Sequence, residues 1–145
     1  MSQLVWDPEW ETGYPAIDEQ HRRLITEFND FLDAVNRDFH AAHVANLIEF
    51  LLDFLDEHCE EEEFRMRATN YPRLVEHMAF HEHLRSTAKA LANTSNKDHE
   101  VFTEEVTAFV LDWIERHVKV EDNLMAKHLI QFSKKGSKPK LEARP

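Results

Sequence analysis

Histidine and carboxylate residues recur in this sequence at intervals that place their side chains on one face of a helix. His58 and Glu62 are four residues apart, and so are His77 and His81. Four residues turn a helix by about 400°, so the two side chains of each pair lie roughly one turn apart on the same face. Imidazole nitrogens and carboxylate oxygens grouped in this way are typical transition-metal ligands. The spacing therefore indicates a metal site built on helices.

The same residues continue apolar stripes, which mark the core-facing sides of helices. His21 lies between Ile17 and Leu24, and His117 follows Trp113 by one turn. Burying a polar group costs a few kcal/mol unless it has a partner. One buried histidine is ordinary, but this pattern directs five imidazoles and a carboxylate inward with no matching set of cations. A metal would satisfy them, and the residues concerned are His21, His58, Glu62, His77, His81 and His117.

The donor types narrow the choice of metal. Five imidazoles exceed what one four-coordinate zinc needs, and calcium and magnesium prefer oxygen ligands. A nitrogen-rich site with bridging carboxylates suits a pair of redox metals, with iron the best match. The segment HMAFH (77–81) lacks the glutamate of the HExxH zinc-protease motif. Ferritin-like oxidases use four glutamates and two histidines, which is the reverse of this balance.

Four helices are predicted to position these residues. Glycine and proline are scarce, with 2 and 5 residues, and apolar residues recur at steps of three and four. The first helix should begin near Asp18 as its N-cap. Asn70 and Pro72 suit the start of the third helix. The apolar positions of the first helix extend from residue 17 to residue 39. The other three helices are predicted to span residues of about 42–67, 71–92 and 99–131.

Short connections between long helices make neighbours antiparallel. The predicted fold is therefore all-α, an up-down-up-down antiparallel four-helix bundle. We expect one bundle domain over residues 1–132, with residues 1–17 as an N-terminal arm and 133–145 as a disordered basic tail. In the last helix, Val120 and Leu124 are expected to face inward.

The formal net charge of −11 argues against a nucleic-acid partner, because phosphates would be repelled. The C-terminal thirteen residues are basic, and we expect them to be solvated. Contact with an acidic protein or an anionic membrane surface is the alternative.

Cys59 is the one cysteine, and neither a signal-peptide pattern nor a long apolar run is present. A cytoplasmic monomer is the expectation.

The chain resembles the bacterial hemerythrins. The resemblance rests on IDEQH (17–21), HCEEEEFRM (58–66), HMAFH (77–81) and WIERHVKVED (113–122), which occur in family order. It implies a centre of two iron ions. One iron would be held by His77, His81 and His117, and the other by His21 and His58. Glu62 and Asp122 would bridge the two ions.

Asp122 comes from the resemblance and not from helical periodicity. In a regular α-helix Glu121, four residues after His117, lies closer to the histidine's face than Asp122 does. A local widening of the helix, as in a π-bulge, would reconcile the two. We therefore predict a widened turn between His117 and Asp122.

The resemblance implies reversible O2 binding at the iron held by two histidines, for oxygen carriage, storage or delivery. Trp113 and Ile114 are expected to wall the O2 pocket, together with Cys59, where the family usually has phenylalanine. A smaller thiol side chain could ease water entry and speed autoxidation relative to a Cys59→Phe variant. The thiol of Cys59 is also the reason for an alternative function, in which the protein is a di-iron oxidase or handles peroxide or NO. An oxygen sensor acting through a separate partner is a third alternative, but a binding protein and not an enzyme is expected.

Overall fold

The computed structural model describes residues 3–38, 41–93 and 98–135 of the chain. A short 3-10 turn, Pro8–Trp10, precedes three helices: α1, Pro15–Arg37; α2, Ala41–Ala68; and α3, Leu74–Asn93. The fourth helical rod has three consecutive parts. These are α4, His99–Asp112; a π-helical segment, Trp113–Asp122; and α5, Asn123–Lys134. The described residues contain no strand.

The four rods form the predicted all-α bundle. Connections of a few residues join successive rods, which makes sequence neighbours antiparallel. The first and fourth rods also meet, since the rings of Phe31 and Phe102 pack edge to face with centroids 6.0 Å apart. Within the described ranges, none of the helices is long and apolar enough to cross a membrane.

The predicted N-cap at Asp18 is wrong, because α1 begins three residues earlier at Pro15. Proline suits the first helical position, where its missing N–H would have no intrahelical partner. The Asp18 carboxylate instead accepts hydrogen bonds from Thr12 N–H at 2.8 Å, the Thr12 hydroxyl at 2.7 Å and Gly13 N–H at 3.2 Å. Asp18 therefore ties the preceding loop to α1, and Gly13 supplies the positive φ of 84° that the loop needs.

Asn70, expected with Pro72 to start the third helix, instead lies in the C-terminal cap of the second. Asn70 has a φ of 53°, and its N–H donates to the carbonyl of Arg67. The N–H of Tyr71 donates to the carbonyl of Met66 at 2.9 Å. This pair of bonds is a Schellman motif, which satisfies the last carbonyls of α2. As a result α3 begins at Leu74 and not near residue 71.

The fourth rod contains the predicted widening as a π-helical segment of ten residues. A π-turn takes in one residue more than an α-turn, so it changes which side chains face the core. Val118 is buried in place of Val120, which is 49 % exposed, and Met125 is buried in place of Leu124. The expectation that Val120 and Leu124 face inward was therefore wrong.

The core consists of two apolar clusters with a polar layer between them. The larger cluster contains Leu24, Leu55 and Leu84, and the smaller contains Ile17 and Met66. In α1, His21 lies between Ile17 and Leu24; in α2, His58 and Glu62 lie between Leu55 and Met66. The histidine layer is thus closed by apolar side chains on both sides along the bundle axis.

Two predictions concern the ends of the chain, the N-terminal arm and the basic tail. Partly buried Trp6 and Trp10 pack against the larger cluster, and Asn29 exchanges hydrogen bonds of 2.8 and 2.7 Å with the backbone of Leu4. The fourth rod continues through Lys134, so Ser133 is helical and does not begin a tail. The rest of the predicted tail, 136–145, lies outside the described residues, as does Phe39.

Candidate metal centre

Five imidazoles and two carboxylates from all four rods meet in the polar layer. Each of these residues is at most 1 % exposed. α1 contributes one histidine, α2 a histidine and a glutamate, α3 two histidines, and the π-helical segment a histidine and an aspartate. These are the seven residues that the resemblance implied, namely His21, His58, Glu62, His77, His81, His117 and Asp122.

Glu62 lies among four of the imidazoles. Its Oε1 is 2.9 Å from Nε2 of His81, 3.0 Å from Nε2 of His77 and 3.6 Å from Nε2 of His117. Its Oε2 is 3.1 Å from Nε2 of His58, on the preceding turn of the same helix. One carboxylate therefore contacts histidines from α2, α3 and the π-helical segment.

Asp122 has a similar position on the opposite rod. Its Oδ2 is 2.6 Å from Nε2 of His21 and 3.0 Å from Nε2 of His117. Its Oδ1 is 3.1 Å from Nε2 of His77. Glu121, by contrast, points away and pairs with Arg73 at 3.2 Å. The π-helical widening thus places Asp122 in the histidine cluster, whereas Glu121, although only 5 % exposed, lies beside Arg73.

These atoms have the chemistry and spacing of ligands around shared cations. Glu62 Oε2 and Asp122 Oδ1 are buried without a hydrogen bond of acceptable geometry. Nε2 of His77 lies 3.0 Å from Oε1 of Glu62 and 3.1 Å from Oδ1 of Asp122. Two ligands about 2.1 Å from one ion and about 90–110° apart would be roughly 3.0–3.4 Å from each other. The residues present therefore fit a metal, which would satisfy the unpaired atoms.

The five imidazole rings form one continuous cluster. The rings of His77, His81 and His117 have centroids 4.6, 5.3 and 5.2 Å apart, whereas the ring of His58 lies 5.5 Å from that of His21 and 5.3 Å from that of His117. The resemblance divides this cluster into a three-ring group, His77, His81 and His117, and a two-ring group, His21 and His58. Seven donors arranged as three imidazoles, two imidazoles and two shared carboxylates exceed the needs of a single four-coordinate ion.

Without a metal, the cluster holds protons. Burial by itself lowers the pKa of His58, but Glu62 and Asp122 outweigh it and raise the pKa to about 10. His77 behaves in the same way, with a pKa raised to about 10. Burial opposes ionisation of Glu62 and Asp122 too, yet the surrounding imidazoles hold the pKa of both carboxyls well below the usual range. A bound cation would replace these protons as the counter-charge.

Sequence reasoning missed two residues that contact the outer nitrogens of the histidines. Glu63 is off the apolar stripe of α2, but it is buried, and its Oε2 lies 2.8 Å from Nδ1 of His81. Gln20 places its Oε1 2.7 Å from Nδ1 of His58. Both are polar residues directly beside a predicted ligand in the sequence, and this adjacency was the available signal.

The predicted pocket residues occupy different sides of the cluster. Trp113 is buried, with its ring edge-on to His21 at 5.3 Å and stacked near His117 at 6.3 Å. Ile114 is also buried. Cys59 is fully buried, and its sulfur groups with donor atoms of Glu63 and His81. The thiol thus lies beside the three-ring group, and its role as a wall of an O2 pocket stays a prediction.

Residues 12–129 match the family model described as the hemerythrin HHE cation binding domain. The chain belongs to the hemerythrin family. Membership implies non-haem iron binding, and the buried histidine and carboxylate cluster is compatible with a di-iron site.

Several hemerythrin relatives extend over most of the chain. A bacteriohemerythrin from Stenotrophomonas maltophilia is 28 % identical over 140 residues, which cover 92 % of this chain and 89 % of the relative. One from Clostridium acetobutylicum is 26 % identical over 82 % of this chain and 95 % of the relative. A myohemerythrin from Riftia pachyptila is 26 % identical over 81 % of this chain and 87 % of the relative. The similarity therefore includes all four helical rods.

Proposed function

We propose that this protein binds O2 reversibly at a centre of two iron ions. The observation that carries the proposal is the convergence of five imidazole Nε2 atoms on two carboxylates in a layer that excludes solvent. When bound, the iron pair supplies reversible electron exchange with O2 at an open coordination position.

The assignment of ligands is the one that the family resemblance implies. His77, His81 and His117 would hold one ion, His21 and His58 the other, and Glu62 and Asp122 would bridge them. This division leaves the position with two histidines short of protein ligands, so it is the one that can accept O2. Neutral imidazoles outnumber carboxylates, which gives less electron donation than the glutamate-rich oxidase sites.

The surrounding side chains would keep water from the open position. Trp113 packs against His21, and the ring of Phe54 stacks on His58 at 5.5 Å with only 10° between the planes. Both aromatic side chains are at most 2 % exposed. An apolar wall of this kind slows the entry of water and the escape of charged oxygen species, which favours return of O2 over its reduction.

Cycling between argon and air tests the proposal. The iron-loaded, reduced protein should change its visible spectrum on aeration and regain the starting spectrum when O2 is removed. His81→Ala should lose this response, whereas His83→Ala, an exposed position two residues away on α3, should keep it. An oxidase would instead end in the ferric state with its product formed, and this result would overturn the proposal.

We also propose that the protein is a binding protein and not an enzyme, that it is a monomer and that it is cytoplasmic. Size-exclusion chromatography with light scattering tests the monomer directly.

A further inference from the structure

Glu63 is a buried carboxylate next to a predicted metal ligand. It follows Glu62 directly, so the two side chains leave α2 about 100° apart. Glu62 points to the bundle axis, while Glu63 points toward α3 and is 8 % exposed. Two cations flank it: Arg85 Nη1 lies 3.7 Å from Oε2, and Arg67 Nη2 lies 3.8 Å from Oε1. These arginines favour the ionised form of Glu63, which can only accept hydrogen bonds.

His81 bridges Glu63 and the centre. Its Nδ1 lies 2.8 Å from Glu63 Oε2, and its Nε2 lies 2.9 Å from Glu62 Oε1. Because the Glu63 carboxylate accepts, Nδ1 must carry the hydrogen. The lone pair available to a metal is then on Nε2, which points into the cluster.

Among the described residues, no charged side chain partners the outer nitrogen of the other four histidines of the cluster. His58 has the neutral amide oxygen of Gln20 at 2.7 Å. Within the described part of the chain, the buried Nδ1 atoms of the remaining three have no hydrogen-bond partner; they belong to His21, His77 and His117. The centre is therefore asymmetric, with an anionic support on the three-ring group and a neutral one on the two-ring group.

We propose that Glu63 is a positioning residue that fixes the orientation and tautomer of His81 and makes it a stronger metal donor. The proposal rests on the proposed function, because it takes His81 to be a ligand. A carboxylate that accepts from the outer nitrogen of a metal-bound histidine raises the basicity of the ligand, and loss of such a partner typically costs about 10–100-fold in metal affinity. Glu63 would thus make the position with three histidines the more electron-rich of the two.

The cluster of Cys59, Glu63 and His81 could in principle hold a cation of its own, because its donor atoms lie within 4.8 Å of one another. Two features oppose that use. Nδ1 of His81 already donates to Glu63, and two arginines approach the same carboxylate. A positive ion there would meet both guanidinium groups, so a positioning role fits the charges better.

The experiment uses the full chain and three variants. Glu63→Gln removes the charge but keeps the side-chain shape, and Gln20→Glu adds a charge at the matching position on His58. Glu60→Gln removes the same charge from an exposed position of α2 and serves as the control. Two quantities are measured: Fe(II) affinity under argon, by competition with a chelator, and the midpoint potential of the iron-loaded protein.

Glu63→Gln should bind Fe(II) about 10–100-fold more weakly and have a higher midpoint potential, because loss of a nearby negative charge favours the reduced ions. Gln20→Glu should lower the potential, and Glu60→Gln should change neither quantity. Unchanged affinity and potential in Glu63→Gln would overturn the proposal. It would also be overturned if the parent chain bound a third metal ion that this variant did not bind. If the parent chain binds no iron, the proposed function fails instead.

Discussion

His117 and Asp122 are five residues apart in one helical rod, yet Nε2 of the histidine lies 3.0 Å from Oδ2 of the aspartate. A regular α-helix would turn the two side chains about 140° apart. The π-helical segment Trp113–Asp122 brings them to the same face, while Glu121, which is also buried, pairs with Arg73. Local backbone geometry therefore selects which of two adjacent buried acids joins the histidine cluster.

Because Asp122 and not Glu121 joins the cluster, substitutions at these two neighbouring positions should affect metal binding differently. Asp122→Asn should weaken metal binding by at least about 100-fold, more than is typical of a residue that only supports a ligand. Glu121→Gln should leave metal binding intact but lower folding stability, because Glu121 is itself buried and would lose its ion pair with Arg73. Metal titration and urea unfolding of both variants measure the two effects. Equal loss of metal in both would refute the assignment.

Metal removal should destabilise the fold. The metal-free chain must keep two carboxylates and five imidazoles buried, whereas bound ions satisfy them. A metal that binds only the native state adds about 4 kcal/mol when its free concentration is 1,000 times its dissociation constant. Urea unfolding with and without Fe(II), under argon, should show an increase of this order. Superimposable unfolding curves would mean that the cluster does not bind the metal.

Metal binding should release protons at pH 8. The folded-state pKa values of His58 and His77 are raised from 6.5 to about 10, so both are protonated at this pH in the metal-free protein. Metals bind neutral imidazole, so loading should expel about two protons per chain, and the apparent affinity should fall as the pH is lowered. Calorimetry in two buffers of different ionisation enthalpy counts the protons. Identical heats in both buffers would contradict the prediction.

The same shifts affect the stability of the metal-free chain. A histidine whose pKa is higher when folded than when unfolded stabilises the fold fully below its unfolded value of 6.5. That contribution is lost as the pH rises through the folded value of about 10. Metal-free protein should therefore lose stability between these limits, and iron-loaded protein should lose less. Unfolding experiments across this pH range compare the two forms.

Cys59 should be inert toward thiol reagents in the native protein. The side chain is fully buried, and burial raises the pKa of its thiol, which keeps it protonated at neutral pH. Because the thiolate is the reactive form, alkylation should be at least about tenfold slower than in the urea-unfolded chain. Mass spectrometry after timed exposure to iodoacetamide gives both rates. Rapid labelling of the native protein would contradict this prediction and would support a chemical role for the thiol.

Much of the fold could be predicted from the sequence because long apolar stripes report which helix faces are buried. The same stripes placed His21, His58, His77, His81 and His117 inside, since each continues a stripe. Residues at helix ends were harder to place. Asp18 looked like an N-cap, but Pro15 could start the helix and Asp18 had better donors in the loop before it.

Two features depended on information that periodicity does not contain. The inward position of Asp122 depends on a π-helical segment, so periodicity alone would have chosen Glu121, and Val120 and Leu124 were misplaced for the same reason. Glu63 is off the stripe that leads to Glu62, and its role is visible only when α3 brings His81 against it. Contacts between rods cannot be read from the pattern of a single rod.

Iron content per chain tests the central claim most directly. Protein loaded with Fe(II) under argon, freed of unbound metal and analysed for iron and protein should hold about two iron ions per chain. Glu62→Gln should lose most of this iron, while Glu60→Gln, an exposed position on the same helix, should retain it. A content of about one ion per chain or less, or equal retention by the two variants, would contradict a di-iron centre built on these residues.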